Sequence, residues 1–185
     1  LGVSTPVSVV GNTNQDVIQI LALMNACGYE LLRKFDWREM TKQKLFSTEF
    51  LTTTGTWTTA ARTITGIPTT VGLDTTYMVT GTGINQNTFI SSVDSSTQVT
   101  VNQDFAAAGT GAAAYFQKMK YDLPSDYESL VPRTMWDKSK HWEMLGPEDA
   151  QQWEWLLSGY ISTGPRVRWR LLGSYFQIWP GFSNA

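Results

Sequence analysis

The chain has little charge, one cysteine and one histidine, and each shortage closes off a class of function. Only 16 % of its 185 residues are charged, against roughly 25 % in an ordinary globular domain. Lys plus Arg total 14 and Asp plus Glu total 16, a net charge of −2. That balance excludes a basic nucleic-acid module at the level of the whole chain, and a charged disordered tail. The lone Cys27 excludes an internal disulfide and a cysteine-cluster zinc site. The lone His141 excludes a multi-histidine metal site. No apolar run approaches the roughly 18 to 20 residues of a bilayer-spanning helix, and no signal-peptide pattern opens the sequence.

What charge there is lies unevenly. Between Leu51 and Ala114 only Arg62, Asp74, Asp94 and Asp104 are charged, among 18 threonines. The flanks hold the other 26 of 30 charges and seven of the eight tryptophans. Two kinds of surface are being built. The contrast predicts an inserted all-β module over residues 51–114 and a discontinuous main domain over 1–50 and 115–185.

In the first flank, Thr13 and Asp16 form a capping pair that places a helix start near Asn14. Val17, Ile20, Leu21, Met24, Leu31 and Phe35 recur at three- and four-residue steps on one face. Ile18, Ala22, Leu23 and Ala26 fill the other sides of the first half, so the helix has almost no face for water. Either its own fold covers it or neighbouring copies do. Ile18 and Leu23 are the candidate inter-subunit positions. Cys27 reads as a buried, inert thiol on this helix.

Within the insertion, Thr56–Thr65, Thr76–Thr80, Thr88–Val93, Gln98–Asn102 and Ala113–Lys118 are the expected strands, with a turn at Asp94-Ser95-Ser96. They suit a five-stranded antiparallel barrel or sandwich. Gly81-Thr-Gly83 opens like a dinucleotide fingerprint, but Gln86 stands where the third glycine belongs, so it reads as a β-turn.

The second flank carries a capping box at Ser125-Asp126-Tyr127-Glu128, with Pro132 ending that helix. Gly146-Pro147-Glu148-Asp149 starts another, with Trp153, Leu156 and Leu157 as its apolar face and Gly159 as its stop. Arg166 to Leu172 then alternates strictly, and Gly173-Ser174 fits a type II′ turn into a return strand over Tyr175–Trp179. The expected class is α+β: a helical core with a C-terminal β-hairpin and an inserted small antiparallel β-domain.

Arg166, Arg168 and Arg170 share one strand face. They suit phosphates, carboxylates across a subunit or partner interface, or plain solvation. The set Trp136, Trp142, Trp153, Trp155, Trp169 and Trp179 suits core packing and a protein interface, or a sugar site. Asp122, Asp126, Glu148 and Asp149 read as helix-start residues and not as catalytic pairs.

Five pieces occur in an order that resembles the head-to-tail adaptor proteins of tailed bacteriophages, of the podovirus connector type. They are Leu21-Ala-Leu-Met-Asn-Ala with Glu30-Leu-Leu-Arg and Phe35-Asp-Trp37; Tyr121-Asp-Leu-Pro-Ser-Asp-Tyr127-Glu-Ser-Leu130; Thr134-Met-Trp136-Asp; Gly146-Pro-Glu-Asp with Trp153; and Arg166-Val-Arg with Gly173 and Gln177-Ile-Trp-Pro180. The insertion is similar to a β-module of phage structural proteins, through Gly81-Thr-Gly83-Ile and Val93-Asp-Ser-Ser-Thr-Gln-Val99-Thr.

The resemblance implies a non-catalytic part without cofactor or metal, located in the virion neck and present in the host cytoplasm during assembly. It implies a homo-oligomeric ring, twelve-membered in that family, docked on the portal protein. A further tail protein (nozzle or tube) and tail fibres attach below, and double-stranded DNA passes with weak contact. No membrane is involved. It also implies segments before Leu1 and after Ala185, so that this chain is part of a longer protein. A virion-surface module recognising glycan or capsid through the insertion is the alternative, and a glycan hydrolase a further one.

Overall fold

Threonine-rich alternation in the middle of the chain produces strands, and these dominate the protein. A computed structural model describes residues 8–158 and 166–180. They fall into two compact units, Leu1–Leu45 and Phe46–Ala185.

The second unit begins with β1 (Phe50–Trp57), β2 (Thr63–Ile64), β3 (Tyr77–Gly81), β4 (Thr88–Ser95), β5 (Gln98–Val101) and β6 (Gly109–Lys118). Their order is β1-β6-β3-β4-β5-β2, every neighbouring pair antiparallel. Thr56 and Thr65 exchange backbone hydrogen bonds of 2.8 and 2.9 Å between the two end strands, so the sheet is a nearly closed barrel. Inward positions alternate with threonines on the outside, and Trp57, Ile64, Val79, Ile90, Val99, Val101 and Phe116 fill the interior. Gly109 is required by this packing, since a Cβ there would lie 2.6 Å from the Trp57 ring.

Met119 separates β6 from β7 (Lys120–Asp122), which joins a second sheet of order β10-β11-β7. Its other strands are β10 (Arg168–Leu172) and β11 (Tyr175–Trp179). Gly173 alone in their turn takes a positive φ, 59°, as a type II′ turn requires. One face of this sheet packs Val167, Trp169, Phe176, Ile178, Tyr121 and Met144. The opposite face receives α2 (Ala150–Leu157), through Trp153, Leu156 and Leu157 against Trp179. A short hairpin, β8 (Trp136–Asp137) with β9 (Trp142–Glu143), lies between. The first unit contains α1 (Gln15–Lys34).

The expected α+β fold with a helical core is therefore corrected. The protein is mostly β, and its two helices make up 17 % of the described residues. The main apolar interior sits in the barrel, and the flanks contribute strands β7 to β11 to the architecture. No helix forms over 125–132, where Tyr127 N–H donates to Pro124 C=O in a single turn. Pro124 and Pro132 leave too few residues to repay helix nucleation. The second helix begins at Ala150 and not at Pro147, because residues 145–148 are held extended along β10. Leu145 N–H donates to Val167 C=O and Glu148 N–H to Trp169 C=O, both at 2.9 Å. Its stop at Gly159 lies outside the described residues.

The barrel has six strands where five were expected. The stretch Thr56–Thr65 is a bend between β1 and β2 and not one strand, with Ala60 at positive φ. The β4–β5 turn falls at Ser96-Thr97. Asp94 sits beside that turn, accepting from Ser92 Oγ (2.7 Å), Thr100 Oγ1 (2.6 Å) and Gln98 Nε2 (3.2 Å). Gly81-Thr-Gly83 does form a turn, and no helix follows it.

Candidate interaction surface

The arginine strand is built as its alternation predicts, with Val167 and Trp169 inward and Arg168 and Arg170 on the other face. That face is not left to solvent. Arg168 Nη1 donates to Glu148 Oε1 at 2.6 Å, and the Glu148 side chain is only 7 % exposed. Arg170 Nε donates to Gln177 Oε1 at 2.7 Å while its guanidinium lies 4.5 Å from the centre of the Trp153 ring. Burial lowers the Arg170 pKa from its ordinary value. Two of the three arginines are thus occupied within their own chain, holding α2 and its leading loop to the sheet. Arg166 is exposed, and no ion pair involves it among the described residues. By its place before α2, Glu148 reads as a helix-start residue. Its partner is 20 residues further on, which no local pattern signals.

A second polar cluster joins the barrel to the small sheet. Glu49 accepts from Tyr77 OH at 2.6 Å and from Lys118 Nζ at 3.0 Å. Its N–H donates to Tyr121 OH at 3.1 Å, and that hydroxyl donates to Lys118 C=O at 3.2 Å. The Tyr77 and Lys118 bonds hold the Glu49 carboxyl below its ordinary range. Burial pushes the Tyr121 phenol up to about 12, and burial with the Glu49 bond raises Tyr77 further. Every member is already bonded within the cluster, so it fastens structure together.

In the first unit, Asn14 caps α1, accepting from Asp16 N–H at 2.9 Å. The cap is thus one residue beyond Thr13. Ile18 is 45 % and Leu23 66 % exposed, and Ile20, Met24, Leu31, Leu32 and Phe35 are exposed as well. Val17 alone on the helix is buried. Cys27 is exposed, which corrects the expectation of a buried thiol. An apolar helix of 20 residues with this much uncovered side chain is marginal in water without a partner surface.

The tryptophans divide. Trp153 and Trp169 are buried, Trp179 is half-buried, and Trp136, Trp142 and Trp155 are exposed. His141 is exposed in the β8–β9 turn at positive φ. Asp149 caps α2 through Gln152 N–H at 2.7 Å, the role its position predicts. Among the described residues no group of three or more His, Cys, Asp and Glu could hold a metal, and no helix is long and apolar enough to cross a membrane. The surface most in need of a partner is α1. Comparison with protein-family models, with curated proteins and with solved structures returns no match.

Proposed function

We propose that this chain is a structural, non-catalytic subunit of a tailed-bacteriophage neck. It forms a ring below the portal, extends the DNA channel and offers a platform to the next tail protein. The observation that carries the reading is the uncovered apolar surface of α1, with Ile18 and Leu23 among its exposed residues. Fully burying such a side chain from water is worth about 1.5 to 3 kcal/mol, and roughly half of that is still to be gained at each partly covered position, a drive to assemble that repeats around a ring. The ordered motifs of the flanks support the same reading. The neutral threonine surface of the barrel suits a peripheral module that makes few ion pairs. Arg166 is the arginine left to meet a carboxylate on a neighbouring copy or on the portal.

The test is particle mass and electron imaging of the purified chain, alone and with portal protein. A closed ring that docks on the portal is expected. A stable monomer with no portal affinity overturns the reading.

The exposure of Trp136, Trp142 and Trp155 favours a second reading, a virion-surface module binding glycan by ring stacking. A monomer that binds host polysaccharide, and loses it when Trp142 becomes Ala, would establish that reading instead.

A further inference from the structure

Antiparallel pairing decides which backbone groups of β1 face β6 and which face away. The register runs from Phe50↔Gln117 to Gly55↔Ala112, and Lys118 N–H donates to Glu49 C=O at 3.0 Å. Glu49 and Lys118 are therefore a hydrogen-bonded pair. By alternation Leu51, Thr53 and Gly55 bond β6, while the N–H and C=O of Phe50, Thr52 and Thr54 point the other way. Thr56 has the same parity, and it is the residue that bonds Thr65 across the barrel seam.

The seam closes only there. β1 stands at the end of the sheet order, so the stretch from Phe50 to Thr54 is an open edge. Among the described residues no partner meets the N–H of Phe50, Thr52 or Thr54, or the C=O of Phe50 or Thr52. The Thr54 C=O has only a long contact, 3.5 Å, from Thr53 Oγ1. The usual protections of an edge are missing, since Phe-Leu-Thr-Thr-Thr holds no proline and no charge, and the bulge of β1 lies beyond it at Gly55/Trp57. Thr52 and Thr54 are exposed, and Phe50 is stiffened by stacking on Tyr115 at 6.2 Å.

We infer that this edge is an interface between two copies of the chain, the β1 strands pairing antiparallel about a two-fold axis at Thr52. The segment is self-complementary. Thr52 meets Thr52 of the second copy, and Phe50 meets its Thr54, so threonine and aromatic side chains pair with no like charges opposed. Glu49 falls opposite Gly55, which also avoids a repelling pair. Three pairs of outward residues, each exchanging two bonds, supply about six hydrogen bonds. A charged partner would find nothing on this edge to recognise, whereas an isologous strand pair needs only the free amides and carbonyls. This contact does not use α1, and because a two-fold pair relates copies of opposite orientation it lies between copies outside a head-to-tail ring and not within one.

The test is residue-resolved amide exchange of the full chain at low and high concentration. Exchange at Thr52 and Thr54 should slow about tenfold or more as the dimer fills. Association through α1 alone would leave these amides unchanged. With Cys27→Ser, Thr52→Cys should cross-link two copies under mild oxidation, while Thr53→Cys, on the opposite side of the strand, should not. Thr52→Pro removes an N–H that β6 does not use, so the barrel should stay folded and the slowed exchange at Thr54 should vanish. Exchange at Thr52 that is fast at every concentration overturns the proposal, whatever the proline variant does.

Discussion

Arg170 lies over Trp153 with its guanidinium carbon 4.5 Å from the ring centre, while its Nε is bonded to Gln177. One side chain thereby joins β10, β11 and α2. Replacing Arg170 with Lys keeps the charge but loses the planar stack and the fixed donor, and should cost about 1 kcal/mol. Amide exchange across α2 should speed up more than exchange in the barrel. Equal change in both would show that Arg170 does not hold the helix.

Arg168 and Glu148 form an ion pair in which the Glu148 side chain is 7 % and the Arg168 side chain 37 % exposed. Removing Arg168 leaves the buried Glu148 carboxylate without its cation, whereas removing Glu148 leaves an arginine that water still reaches. Arg168→Glu, which places two carboxylates together, should lower stability by about 3 kcal/mol, and Glu148→Gln by less. Urea unfolding of the two variants measures both. A stable Arg168→Glu chain that merely fails to assemble would return Arg168 to an intermolecular role.

The Glu49 cluster predicts two limbs in the pH profile. The Glu49 pKa is lower in the folded chain than its ordinary 4.5, so the unfolded chain binds the proton more tightly. Its stabilising contribution is present above that value and fades as pH falls below it. Tyr77 and Tyr121 have raised values, so their contribution is whole below pH about 10 and declines as pH rises beyond it. Tyr77→Phe should flatten both limbs in unfolding curves taken from pH 3 to 11. A profile identical to that of the parent chain would dismiss the cluster as a source of stability.

Gly109→Ala should destabilise the barrel by about 1 to 3 kcal/mol, because the new methyl meets the Trp57 ring. Trp57 is held in place by its own bond to Ala107 C=O at 3.1 Å and cannot easily retreat. Thermal unfolding followed by tryptophan fluorescence measures the loss. Gly72→Ala offers a contrast, since a Cβ there meets nothing within 4 Å and only its positive φ opposes the change.

Leu23→Glu and Ile18→Glu should leave the barrel's melting temperature within about 2 °C, since surface substitutions rarely exceed about 0.5 kcal/mol. Both should lower particle mass if α1 is the assembly surface. Unchanged mass with either variant would remove α1 from the interface.

Local patterns decided much of this protein in advance. Period-two alternation marked β10, the Gly173-Ser174 turn marked β11 as its return strand, and the apolar steps from Val17 to Leu31 marked α1. These depend on neighbours within a few residues, and the physics that produces them is present in the chain itself. Fold class was not legible in that way. The capping box at Ser125-Asp126-Tyr127-Glu128 reads as a helix start, and Pro147 as the first residue of another helix, until Pro124 and the pairing of Leu145 with Arg168 are taken into account. Nor could the sequence show what covers the arginine face. Glu148 and Trp153 reach Arg168 and Arg170 only after α2 folds back on the sheet, and the open edge of β1 exists only because β2 is two residues long. Burial and strand pairing join residues far apart in the chain, so only the tertiary structure could assign them.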